Sequence, residues 1–433
     1  MSDQSQYQWI AGIFLVLFLT GAAHGTPDAT TDPVTKVPGL LWIVPTGSSE
    51  KYDDNAGMVA CSYSGEQVVL GYGAGIIELR NRQGDRTGRW QSSHGYYRVW
   101  SVAISRDGSR VVAVIHDPRQ EHRAEVVYLD DHGRLIWQTT LEGPFGFVDI
   151  SDNGSVVAVT DSGRISFYDR TGNRTGTTVL EGMIWQMSLT GDGSSAVAGV
   201  IPRDFSGNLY VISNNSTVEW FSTTPVKQRA VAISDNGEYL AGSDQQQIRF
   251  FARNGSRIWK FNSSTTTTSL AISSGGDYIV AGSQYYLRYF NNAGTILWQY
   301  DDPVPATRSG VYFSNVAIAG NGEYVAAVSR DNKTLLFTSK GKLVEEFESP
   351  LWVSDMCLSG SGNAVVIGTD QEIRYFDTGI NVPVDEPVPG VVTTAMTISP
   401  ASFPTQRAQE PGFMVIAGIC GGILAWVSMK RRL

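Results

Sequence analysis

The chain has 433 residues, 42% hydrophobic and 17% charged, a balance that supplies a large core and excludes a disordered polymer. Its formal net charge of −9 argues against nucleic acid as a partner, because that binding rests on Lys and Arg neutralising phosphates. No run of basic residues precedes the last four positions. In chain order, residues 1–25 read as a signal peptide, with Ile10 to Ala23 forming an apolar helix about 21 Å long, short for a span and suited to export. The segment before it lacks Lys and Arg, so an uncleaved N-terminal anchor stays open as the alternative. Residues 26–38 are a Thr-, Pro- and Asp-rich lead-in with little to pack.

From there a unit recurs. Its clearest copy, Gln228 to Phe261, reads as four short strands: Ala230 to Ile233, Glu238 to Gly242, Ile248 to Phe251 and Arg257 to Phe261, labelled A to D. Asp235-Asn236-Gly237 and Arg253-Asn254-Gly255 are the tight turns of the two outer pairs. The A-strand signature, large-small-large-Ser before a glycine turn, returns at Gly65, Gly108, Gly154, Gly193, Gly237, Gly276, Gly322 and Gly362. A four-stranded unit of this length cannot bury both its faces alone, so the copies must stack, and radial stacking gives a propeller. The expected fold is all-β: an eight-bladed β-propeller of four-stranded blades over residues 39–378, with an N-terminal signal helix and a C-terminal transmembrane helix. Leu40 to Val44 looks like a D strand without its own blade, whereas the eighth copy has A, B and C strands and no D. The first strand therefore completes the last blade and removes an open sheet edge. Cys61 and Cys357 then lie on the A strands of neighbouring blades; a disulfide clasp and a pair of buried thiols are both open.

Residues 379–410 are rich in Pro, Thr and Ser and read as a stalk, although Met396-Thr397-Ile398-Ser399 repeats the A-strand signature and leaves a truncated ninth copy as the alternative. Phe413 to Met429 is apolar and is followed by Lys430-Arg431-Arg432, which stay cytoplasmic under the positive-inside rule. With Pro411, Gly412 and Phe413 in front, residues 411–433 resemble the archaeal PGF-type C-terminal sorting signal. That resemblance implies cleavage by an archaeosortase-like peptidase and a lipid anchor; a plain membrane anchor is the alternative. Both put the propeller on the extracellular face of the cytoplasmic membrane.

Trp42, Trp90, Trp137, Trp220, Trp259 and Trp298 fall at or near D strands. This pattern resembles the quinoprotein type of propeller, whose Trp residues stack between blades, while the Ser-x-Asp/Asn-Gly turn is similar to that of WD-repeat propellers. The likeness implies a fold and leaves function open, since propellers host many activities. Pyrroloquinoline quinone dehydrogenases use an adjacent Cys pair, which is absent here. Asp149 alone puts a carboxylate at an A-strand position otherwise held by small residues, where it is hydrogen-bonded to a neighbouring blade or to channel water, or else binds a cation or acts as a base beside the channel. His116, Asp117, Glu121 and His122 share one B–C loop without a familiar metal spacing. Standard enzymatic motifs do not occur, so no catalytic, cofactor or metal residue is assigned. The leading expectation is a non-catalytic module binding a protein or glycan at the cell envelope. A self-associating structural component of the envelope comes second, and a quinoprotein-like enzyme third.

Strand order places the short A–B and C–D turns on one face of the ring and the B–C and D–A loops on the other. Length variation concentrates in the second set, which is expected to present Tyr96, Tyr97, His116, Arg123, Arg203, Phe205 and Arg308 as the binding face. Seven Asn-x-Ser/Thr sequons begin at Asn153, Asn173, Asn214, Asn215, Asn254, Asn262 and Asn332. They suggest a glycoprotein, though Asn also serves the turns.

Overall fold

The computed structural model describes residues 39–46, 57–94, 97–117, 124–143, 146–245, 247–302, 313–329, 331–349, 351–379 and 391–392. The expected signal segment, lead-in and sorting signal, the possible ninth copy and most of the stalk lie outside the described residues.

The chain folds as eight antiparallel blades. Their inner A strands are Met58–Cys61, Arg98–Ile104, Val148–Ile150, Met183–Leu189, Ala230–Ile233, Thr267–Ile272, Val316–Ile318 and Val353–Leu358. In the last blade Leu40–Pro45 pairs with Glu372–Asp377, Val44 opposite Ile373, and supplies the missing outer strand. One addition was not foreseen: Val391–Val392, within the expected stalk, pairs with the blade-six outer strand Ile296–Asp301, Val391 opposite Tyr300.

The A–B turns share a chemical solution, of which blades six and seven keep half, Gly275 and Ala319 each standing at one of the two acceptor positions. Gly108 sits at φ +77°, where a Cβ would be strained. Ser105 Oγ accepts the Arg110 N–H at 3.0 Å, and Asp107 Oδ1 accepts the Ser109 N–H at 2.9 Å, satisfying donors that the reversal would otherwise orphan. The same bond draws Glu238 into its turn through Asn236, so the blade-five B strand is Tyr239–Ser243 rather than starting one residue earlier.

Packing between blades is where the sequence repeat becomes a closed ring. Inward-facing Val, Ile, Ala and Leu of neighbouring sheets bury together, as where Val111, Ala113 and Ile115 of blade two meet Val69, Ile77 and Leu79 of blade one. Outer-strand Trp residues lock this packing. Trp259 stacks on Phe250 of its own blade (5.2 Å) and Phe290 of the next (5.5 Å), and its Nε1–H donates to Asn292 O at 3.0 Å. Trp298, Trp220 and Trp42 donate in the same way to Ser339, Arg253 and Arg82.

The interfaces also alternate in kind. Seven residues before the turn glycine, the even blades carry an acceptor that takes a backbone N–H from the next blade. Ser101 accepts from Val148 (3.3 Å), Gln186 from Val231 (3.0 Å), Ser269 from Val316 (3.2 Å) and Asp355 from Val59 (3.0 Å). In three even blades a C-strand tyrosine adds a second tie: Tyr128, Tyr289 and Tyr375 donate to the carbonyls of Gly154, Gly322 and Gly65. At the equivalent place the odd blades one, three and five have Met58, Phe147 and Ala230, which offer no side-chain acceptor. Blade seven departs from the alternation: Asn315 stands at this place and donates to Asp355 of blade eight at 3.3 Å.

Candidate functional site

Strand order sorts the connections as expected, and the two faces differ in what they do. On the short-turn face, the residue two positions before each turn glycine rims the channel mouth: Tyr63, Arg106, Asp152, Gly191, Asp235, Ser274, Gly320 and Gly360. Backbone bonds run from blade to blade along this rim, including Asp152 N to Gly191 O (2.7 Å), Gly191 N to Asp235 O (2.8 Å), Ser274 N to Gly320 O (2.9 Å) and Gly320 N to Gly360 O (2.8 Å). The closing junction is made by Ser361 N to Tyr63 O (2.8 Å).

Two side chains then cross the mouth. The Arg106 guanidinium of blade two reaches Asp235 of blade five at 3.1 Å and Asp152 of blade three at 3.6 Å. Its other side lies over the Tyr63 ring, 3.6 Å from the centroid. That ring rests on Gly320 and Gly360, where an added Cβ would come within 2.8 and 2.0 Å of it. Only glycine on blades seven and eight leaves room for this tyrosine, so the mouth is bolted by an ion pair and an aromatic lid.

Acidic groups behind the bolt are shifted by their surroundings. Burial raises the Asp152 carboxyl and Asp235 raises it further, against the pull of Arg106. Burial pushes Asp149 up to about 6, opposed by N–H bonds from Leu189 and Ile150. Those bonds, both 2.8 Å, show Asp149 bridging blades three and four. Asp355, whose role the repeat did not announce, is likewise pushed up to about 6 by burial. It accepts from Val59, Met356 and Asn315, drawing blades seven, eight and one together. Both carboxylates are occupied as acceptors by backbone donors, which suits a joint better than a base.

Corrections fall on the long-loop face. Tyr97 is 1% exposed; its hydroxyl donates to Glu125 at 2.9 Å and its ring packs against His94. His116 is 8% exposed and meets Trp100 edge-on; burial first, then Arg98, push it down to about 4, so it is neutral near pH 7. Neither side chain is available as a contact surface: Tyr97 is buried with its hydroxyl on Glu125, and His116 closes the strand Arg110–His116 with its ring against Trp100. Tyr96, Arg123 and Arg308 lie outside the described residues.

Arg203 and Phe205 do stand out from the ring, on the blade-four B–C loop. Phe205 is 62% exposed at φ +63°, with the Lys227 ammonium 4.5 Å from its ring centroid. A bulky residue in the left-handed region is uncommon; here the Phe205 N–H bonds back to Pro202 O at 3.0 Å, and this tight turn lifts the ring outward. Val179 at 75% and Met183 at 50% exposure stand on either side of the connection from blade three into blade four. Gly182 in that connection lies so close to Ile201 and Pro202 that a Cβ would approach within 2.5 Å, which draws the two loops together. Trp352, 42% exposed, lies on the same face between blades seven and eight. Sequence reading found Phe205 through its loop and missed Val179 and Met183, which look like ordinary strand residues until their neighbours are known.

Among the described residues, Asp130, Asp131 and His132 are a group near enough to hold a metal. Their donors are already engaged in the blade-two C–D turn, Asp130 by the N–H groups of His132 and Arg134, and Asp131 by His132 Nδ1. Of the four metal-capable residues in the B–C loop, His116 and Asp117 are buried, and Glu121 and His122 lie outside the described residues. Cys61 and Cys357 are free thiols, each partly exposed. No helix among the described residues is long and apolar enough to cross a membrane.

No family model matches the chain, and no curated protein matches it. Solved structures do resemble it. The C-terminal WD40 domain of Sif2 aligns with a TM-score of 0.62 at 15% identity, over 79% of this chain and 99% of that one. The computationally designed Ika8 protein aligns with a TM-score of 0.59 at 14% identity, over 75% of this chain and 97% of that one. At such identities the likeness speaks for fold: the chain is an eight-bladed β-propeller with WD40-like structural neighbours.

Proposed function

We propose that this protein is a non-catalytic recognition module that holds a protein partner on its long-loop face, centred on blade four. One observation carries the reading: Phe205 is held outward in a backbone conformation that costs free energy, and Val179 and Met183 at the entry to the same blade are exposed as well. An exposed Phe205 with Arg203 on its own loop and the Lys227 ammonium over its ring offers an apolar anchor with a basic margin, suited to a partner with an apolar pocket and acidic surroundings. In this reading residues 1–25 direct export, residues 379–433 tether the propeller outside the cytoplasmic membrane, and an archaeosortase-like peptidase cuts near Pro411, Gly412 and Phe413. The sequons, of which Asn153, Asn173, Asn215, Asn254 and Asn262 are exposed, carry sugar.

The test compares wild type with the V179S/M183S/F205S variant. Immobilised wild type should retain an envelope protein whose apparent affinity falls at least about a hundredfold in the variant, with an unchanged melting temperature. Equal retention by both overturns the assignment. If instead wild type grows in mass with concentration and the variant does not, the same patch serves self-association, and the structural reading takes its place.

A further inference from the structure

The closure of the ring brings together two thiols from opposite ends of the propeller. The A strands Met58–Cys61 and Val353–Leu358 lie side by side and are joined at several levels. Ser354 Oγ donates to Gly57 O at 3.1 Å, Val59 N to Asp355 Oδ2 at 3.0 Å, and Ser361 N to Tyr63 O at 2.8 Å. Cys61 lies midway between Val59 and Tyr63, and Cys357 between Asp355 and Ser361, so these bonds bracket the pair. Both side chains pack against the same interblade cluster, where blades eight and one meet. Burial first, and the neighbouring thiol second, hold Cys357 well above the ordinary thiol range.

We propose that Cys61 and Cys357 form a disulfide that staples the first blade to the last. The four strands of each of the other seven blades come from one continuous stretch of chain; blade eight alone joins the two ends of the propeller, through the hydrogen bonds between Leu40–Pro45 and Glu372–Asp377. The oxidant is a small disulfide. The Cys61 thiolate attacks one of its sulfurs, giving a mixed disulfide and releasing one small thiol. The Cys357 thiolate then attacks Cys61 Sγ and releases the second, so two electrons pass to the small disulfide and the two thiol protons end on its products. The bond closes a loop through all eight blades, where a cross-link restricts the unfolded chain most.

The experiment is a redox titration of the folded full-length chain with reduced and oxidised glutathione, read by non-reducing peptide mapping and melting temperature. Cys420 supplies a third thiol, so the linked peptide rather than a thiol count is the readout. Oxidation should yield a peptide pair joining Cys61 to Cys357 and raise the melting temperature by about 5 °C, reversed by reductant and absent in C61S. Reduced wild type provides the comparison if C61S does not fold. Finding both thiols separately alkylated or capped by glutathione after equilibration overturns the proposal, as does a linked peptide with no rise in melting temperature.

Discussion

The two faces of the ring are built from the same eight repeats and end in opposite states. On the short-turn face the connections are held by Ser, Thr, Asp or Asn bonds to the turn backbone, and the channel is crossed by Tyr63, Arg106 and Asp235. On the long-loop face the connections vary in length and leave Val179, Met183, Phe205 and Trp352 outside. A turn that must satisfy its own orphaned donors has little freedom to change, while a longer loop braced on a rigid sheet can. The uniform face stabilises the ring, and the variable face is free to carry recognition.

That division can be broken from the rigid side. Gly360→Val puts carbon atoms where the Tyr63 ring lies, so the lid must leave the mouth. The expected cost is about 2 to 3 kcal/mol, seen as a lower denaturation midpoint with partner binding intact. Loss of binding at unchanged stability would reverse the roles of the two faces.

A smaller loss follows from Arg106→Ala, about 1 to 2 kcal/mol near pH 7 after allowing for the partial exposure of the ion pairs. Its signature is in the pH dependence. Asp149 has its carboxyl raised from 3.8 to about 6, so its contribution is fully present below about 4 and is lost as pH rises through about 6. Asp152 shifts in the same direction, and Arg106 is what opposes that shift. Removing the arginine should steepen the fall in stability between about pH 4 and 6. Equal slopes in variant and wild type would show that the bolt does not couple to these carboxyls.

The smallest effect sharpens the comparison from the other face. Phe205→Asn replaces a bulky residue at φ +63° with one that tolerates the conformation. Stability should stay level or rise by up to about 1 kcal/mol, while partner affinity falls. A melting temperature that drops by several degrees would make Phe205 a packing residue instead.

By itself the sequence determined the number of blades, the order of their strands, the turn glycines and the completion of blade eight by Leu40–Pro45. Each follows from local rules: alternation sets a strand's faces, a left-handed turn position calls for glycine, and a D strand without a blade must find one without a D. The placement of Trp42, Trp137, Trp220, Trp259 and Trp298 was legible for the same reason, because each is the third residue of its outer strand; Trp90 lies two residues further along. Only the tertiary structure decided what the non-repeating residues meet. Arg106 and Asp235, 129 positions apart, come together because the ring curves back across its own channel. Tyr97 and His116 look like surface residues in the sequence and prove buried against Glu125 and Trp100, and Asp355 shows its purpose only when blades seven, eight and one converge on its carboxylate. Local pattern is set by neighbours along the chain, whereas burial and ion pairing are set by neighbours in space, which only the closed ring supplies.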